Sequence, residues 1–136
     1  MFDKKAKYLE FVQSIINRMA DCSFRCKEFC VLICSAMVTV FCALEKHPSI
    51  ILLLCNLPII LFWFLDSYYL WQERGFRELY NEKAVLNDEK SFDDFTIKPN
   101  HKRNRFISAL FSKTVFFLYV VLIVLATTFG VVLLII

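Results

Sequence analysis

The stretch that decides the fold closes the chain: Thr114 to Ile136, TVFFLYVVLIVLATTFGVVLLII, 23 residues without a charge. As a helix it is long enough to cross a hydrocarbon core of about 30 Å with some tilt. The rest of the chain has the same character. Of 136 residues 58% are hydrophobic, with only 2 Gly and 3 Pro. A soluble domain this small leaves about a third of its unfolded surface exposed and cannot hide so much apolar area. The apolar residues are also gathered in long uncharged runs, which marks a membrane protein rather than an oily core.

Upstream of the final run, residues 87–105 are polar. They contain Asp93-Asp94, Pro99-Asn100 and the basic cluster His101-Lys102-Arg103-Asn104-Arg105. They read as a loop, with a short strand expected near Phe95–Ile97. Before them, Ser49 to Leu65 gives 17 uncharged residues followed by Asp66. Pro58 should kink this run, with Asn56 placed to hydrogen-bond backbone freed nearby. Trp63, Tyr68, Tyr69 and Trp71 form an interfacial aromatic belt. From Glu73-Arg74 a charged helical continuation runs to about Ala84 and keeps the apolar stripe Phe76, Leu79 and Tyr80.

The N-terminal part follows the same plan. Leu9, Val12, Ile16 and Met19 recur at helical spacing, with Phe11 and Ile15 beside them and a polar face from Lys4 to Arg18. Phe29 to Leu44 adds 16 uncharged residues, about 24 Å of helix, with Lys27 and Lys46 able to snorkel at its ends. No Gly or Pro separates the two parts, so one helix is expected over about 4–45. Glu45-Lys46-His47-Pro48 is the break, with Pro48 suited to the first turn of the next helix.

The expectation is an all-α membrane protein forming one domain over 1–136. It comprises an amphipathic helix 1–28, spans at 29–44, 49–71 and 114–136, and a cytoplasmic helix and basic loop over 72–113. The first two spans are thus extended into the cytoplasm as long amphipathic helices. Lys and Arg number 6 before the first span, 9 between the second and third, and 1 in the short turn. That bias puts the N-terminus and residues 73–113 on the cytoplasmic side and the C-terminus outside.

Six cysteines lie at 22, 26, 30, 34, 42 and 55. The first four follow one helical face, a spacing that rarely meets disulfide geometry. The CxxC spacing and neighbouring His of a zinc site are missing, so neither metal nor cofactor is expected. No P-loop, GxSxG, HExxH or GxGxxG occurs, and an enzyme is not expected unless a partner supplies catalytic residues.

Polar residues within the spans are more informative. Ser35, Thr39 and Cys42, joined by Cys34, form a stripe on the first span that either lines a pore or packs helix against helix. Thr127, Thr128 and Gly130 carry the same ambiguity in the last. Asp66 stands at the edge of the hydrocarbon. In a ring of subunits it would favour cations; alternatively it pairs with Arg74 or anchors the helix at the interface. Arg18, Arg74, Arg77, Lys98, Lys102, Arg103 and Arg105 are the candidate ligand-binding cations. They suit anionic membrane lipid or a phosphate-rich ligand.

Two stretches carry a resemblance: Ile16-Asn17-Arg18-Met19-Ala20 with Ser23-Phe24 and Lys27, and PIILFWFLDSYYLWQERGFRELY from Pro58 to Tyr80. Over roughly residues 8–82 the chain resembles small bacterial three-span membrane proteins with INRMAxxSFxxK and FWxLDxYYLxxERxFRxLY motifs. Some of these look like the channel effectors of Hailong-type antiphage defence. The resemblance implies a homo-oligomeric ion channel, a tetramer, paired with a nucleotidyltransferase. It further implies a single-stranded oligodeoxyadenylate, or other nucleotide, as gating ligand. The competing reading is a non-channel membrane anchor or scaffold for a soluble partner.

Overall fold

The computed structural model describes residues 2–45, 49–86, 92, 95–102 and 105–136. The expectations placed on Lys46, Pro48, Asp93-Asp94 and Arg103 lie outside the described residues. Four helices follow in order: α1 Phe2–Cys42, α2 Ile51–Val85, α3 Phe106–Leu110 and α4 Lys113–Ile135. Among the described residues there is no strand. The strand expected near Phe95–Ile97 is instead irregular chain, fixed to α2 where the Asn100 amide donates to the Gly75 carbonyl at 3.0 Å.

α1 runs 41 residues because nothing in it stops a helix: it holds neither Gly nor Pro. α2 contains both, Pro58 and Gly75, and continues through them. Pro58 has no amide to offer the Leu54 carbonyl one turn back. Asn56 does not compensate for this, contrary to expectation. Its Nδ2 donates to the Leu52 carbonyl at 2.9 Å, which is not the group freed by Pro58.

The two long helices form an antiparallel hairpin. Their charged ends meet through a core of Tyr8, Val12 and Ile16 against Leu79, with Phe92 closing it. Farther along, Cys30 of α1 packs with Ile59 of α2 and with Val115 and Tyr119 of α4. At the other end Phe41 meets Ile51 and Cys55, with Phe129 and Leu133 of α4 alongside. α2 is therefore the central helix, contacting both α1 and α4 along its length.

α3 falls inside the stretch expected to be a basic loop. Its one-turn helix is pinned to α2 by Trp63, whose Nε1 donates to the Leu110 carbonyl at 3.1 Å. α2 and α4 are each long and apolar enough to cross a membrane. The uncharged part of α1 within the helix covers residues 29–42, about 21 Å, short of a full hydrocarbon core.

Candidate functional site

The most heavily determined polar group is Asp66, which is fully buried. It lies on α2 where the uncharged run ends. Opposite it, α1 presents Ser23 and Lys27, four residues apart and therefore on the same face. The Ser23 hydroxyl donates to Asp66 Oδ1. Lys27 Nζ lies 3.0 Å from Oδ1 and 2.8 Å from Oδ2, and also donates to Ser23 Oγ at 2.9 Å. The Lys27 side chain is 24% exposed, so its stem covers apolar surface while its head reaches inward.

A buried carboxylate is tolerable only with a countercharge and hydrogen bonds; this one has Lys27 against both oxygens and its hydrogen bonds, from Ser23 and Lys27, at Oδ1. Tyr119 of α4 stands on a third side. Its hydroxyl is fully buried and approaches Asp66, but completes no hydrogen bond among the described residues. Ser67, also buried, turns away and donates to the Trp63 carbonyl at 2.7 Å. The result is a polar clasp across the hairpin. On one side of it both helices are charged, and on the other α1 from Phe29 and α2 back to Ile51 carry no charge.

Asp66 thus faces the interior of the protomer, with Lys27 as its partner. Arg74, the partner considered from sequence, is turned elsewhere: Nη1 donates to Ser108 Oγ at 3.3 Å and Nη2 to Ser112 Oγ at 3.2 Å. Ser23 and Lys27 stood inside a quoted motif, yet only antiparallel pairing of α1 with α2 reveals them as the partners of Asp66.

The other candidates are dispersed. Ser35, Thr39 and Cys42 are exposed on α1. Ser35 donates to the Val31 carbonyl at 2.8 Å and Thr39 to the Ser35 carbonyl at 3.0 Å, so both hydroxyls are satisfied within their own helix. Thr127 and Thr128 do the same on α4. Arg77 pairs with buried Glu73 at 2.6 Å and borders a groove of about 330 Å³ with Gln13, Ile16, Tyr80 and Asn81. Lys102 borders another groove, of about 450 Å³, with Glu78, Asn81, Glu82 and Asn100. Arg18, Lys98 and Arg105 are exposed. The candidate cations are therefore not gathered into one pocket.

The aromatic belt is divided as well. Trp63 turns to α4, stacking on Tyr119 at 6.5 Å. Trp71 stacks on His101 at 3.9 Å between ring centroids. All six cysteines are free thiols; Cys26, Cys30 and Cys55 are buried and pack as small apolar residues. Comparison with family models, with curated proteins and with solved structures gives no match.

Proposed function

We propose that this chain is the membrane subunit of a homo-oligomeric ion channel or membrane-disrupting effector in bacterial antiphage defence. In this reading a nucleotide or oligonucleotide ligand gates it through the charged half of the hairpin. The observation that carries the reading is the clasp. Two long helices pass unbroken from a charged half to an apolar half and are locked together by Lys27, Ser23 and Asp66 at the border. A change of packing in the charged half is thereby passed to the apolar half as movement of whole helices. A ligand acts on such a device only through different affinity for its two arrangements.

The pairing supports a third span beside α2 and α4. Where α2 crosses, α1 lies against it from Cys30–Ile59 to Phe41–Ile51. The exposed large residues of α1 there, Phe29, Val31, Leu32, Val38 and Val40, are all apolar, with the exposed Ser35, Thr39 and Cys42 among them. Neutralising Lys27 against Asp66 lets α1 sink far enough for its short uncharged run to serve. The interior of the protomer is apolar, so a water path would run between copies. The stripe Ser35, Thr39 and Cys42 is the surface on which copies would meet. Asp66 then acts as the clasp rather than as a ring of pore carboxylates. The count of basic residues favours a cytoplasmic charged half. The tetramer, the oligodeoxyadenylate ligand and the nucleotidyltransferase partner rest on the resemblance of the two motifs.

Planar-bilayer recording of the reconstituted full chain, with and without single-stranded oligodeoxyadenylate, tests the reading. Conductance that the ligand changes is the expected result. Absence of conductance under every ligand condition would contradict it. One observation favours the anchor reading: Phe11, in the charged half, is 57% exposed and available to a soluble protein. Isolation as a stoichiometric hetero-complex without effect on membrane potential would favour that alternative.

A further inference from the structure

Among the described residues Arg74 is a cation without an anion. Its guanidinium rests on two serine hydroxyls, Ser108 Oγ at 3.3 Å and Ser112 Oγ at 3.2 Å. No carboxylate pairs with it among the described residues. Glu73, its neighbour in sequence, is taken by Arg77 at 2.6 Å. Each hydroxyl accepts from the guanidinium and still has its own proton to donate. Ser112 stands at the N-cap of α4 with no side-chain capping bond, so its hydroxyl oxygen accepts from no backbone N–H of that helix. An oxyanion arriving here meets a planar fork of N–H donors with two O–H donors beside it, the geometry that suits phosphate.

The surroundings narrow the source of that phosphate. Ser108 is flanked by Ile107 and followed one turn later by Phe111, and these are 66% and 57% exposed. Phe117, near the start of α4, is 72% exposed. Lys113, also exposed, is the first residue of the most apolar helix in the molecule. A polar anion site thus lies beside exposed apolar side chains at the level where α4 begins its uncharged run, Phe111 among them also meeting the rings of Trp63 at 6.5 Å and Phe116 at 5.7 Å. That combination matches an amphiphile rather than a free ion.

We propose that Arg74, Ser108 and Ser112 receive the phosphate of an anionic phospholipid, with its acyl chains along Ile107, Phe111 and Phe117. The site rests on α4 entering a bilayer at Lys113 and is independent of whether the assembly conducts. The lipid would tie α3 to α2 at the foot of α4 and fix how deeply the clasp sits.

Native mass spectrometry of the delipidated full chain in detergent, titrated with phosphatidylglycerol, tests this. Arg74→Gln and the double variant Ser108→Ala/Ser112→Ala should each weaken retention about tenfold, the loss expected for a charge-assisted hydrogen bond. Arg74→Lys, which keeps the charge but not the fork, should fall between them and the native chain. Lys7→Gln, at an exposed position in the charged half of α1, should bind as the native chain does. Excess inorganic phosphate should displace little lipid, and dioleoylglycerol, which lacks the phosphate, should be retained poorly. The double serine variant keeps every charge, so it decides the matter even if loss of Arg74 impairs folding. The proposal is overturned if a helical, monodisperse double variant and Arg74→Gln both retain phosphatidylglycerol as the native chain does. It is equally overturned if inorganic phosphate competes as well as the lipid, or if dioleoylglycerol binds as tightly.

Discussion

The two halves of the α1–α2 hairpin are built from different materials. The charged half packs large residues: Tyr8 meets Phe92 edge-on at 5.6 Å, and Val12, Ile16 and Leu79 complete the core. Lys83 lies over both rings, 6.0 Å from Tyr8 and 5.6 Å from Phe92. Lys5 closes the end of α2 by donating to the carbonyls of Ala84 at 2.8 Å and Leu86 at 2.9 Å, where a helix has unpaired acceptors and favours a cation. The apolar half mixes small residues, Cys30, Cys34, Cys55 and Ala126, with larger ones such as Ile59, Tyr119 and Phe41. In water, removing large apolar area from solvent drives association, at about 1.5–3 kcal/mol per large side chain. In lipid that drive is absent, and helices associate by close packing and shared polar contacts. On the function proposed above, the clasp stands where one regime gives way to the other.

Substitutions can break this contrast, and they rank by what each leaves behind. Asp66→Ala should cost the most, about 3–5 kcal/mol, because it strands the Lys27 ammonium among apolar neighbours. Thermal unfolding in detergent should show both halves lost together. The double variant Lys27→Met/Asp66→Leu should recover most of that loss, since a matched apolar pair strands no charge. Tyr8→Ala should cost about 3 kcal/mol, but locally. Hydrogen exchange should rise over residues 4–20 and 76–85, while α4 keeps its protection.

Gly75→Ala should cost about 1–3 kcal/mol. A Cβ there would meet the His101 ring, with Nδ1 at 2.7 Å, and Pro99 Cβ at 3.0 Å. The segment carrying His101 would have to lift, and Trp71 fluorescence should report the lost stacking. Gly130→Ala should be nearly neutral. Its Cβ would meet Leu52 Cδ2 at 2.8 Å, the movable end of a side chain. The helix propensity gained over glycine, about 1 kcal/mol, offsets that shift.

The helices themselves were legible in the sequence, because charge and apolar spacing are local signals. The two long helices were expected over about 4–45 and from Ser49 to about Ala84; they run Phe2–Cys42 and Ile51–Val85. α3 was not legible: five residues following a basic cluster carry no periodicity, and tertiary anchors such as the Trp63 bond to Leu110 hold it. Tyr8 was overlooked as a core residue because lysines surround it in sequence, whereas Phe11, counted beside the apolar stripe, faces out. Asp66 is conspicuous in the sequence as an acid at the edge of an uncharged run, but its partner is not. The expected partner, Arg74, lies eight positions on along the same helix, whereas Lys27 is 39 residues away on another. Long-range pairing of single residues leaves no mark in composition or spacing.

The central claim is that α1 accompanies α2 into the bilayer, with the border at the clasp. Spin labels placed singly at Phe11, Phe24, Leu32 and Val40, all exposed on α1, read this directly in reconstituted vesicles. The account predicts that a water-soluble nickel relaxant reaches positions 11 and 24, while oxygen, which partitions into lipid, dominates at 32 and 40. Equal access of the nickel reagent to all four positions would place α1 outside the membrane and contradict the account.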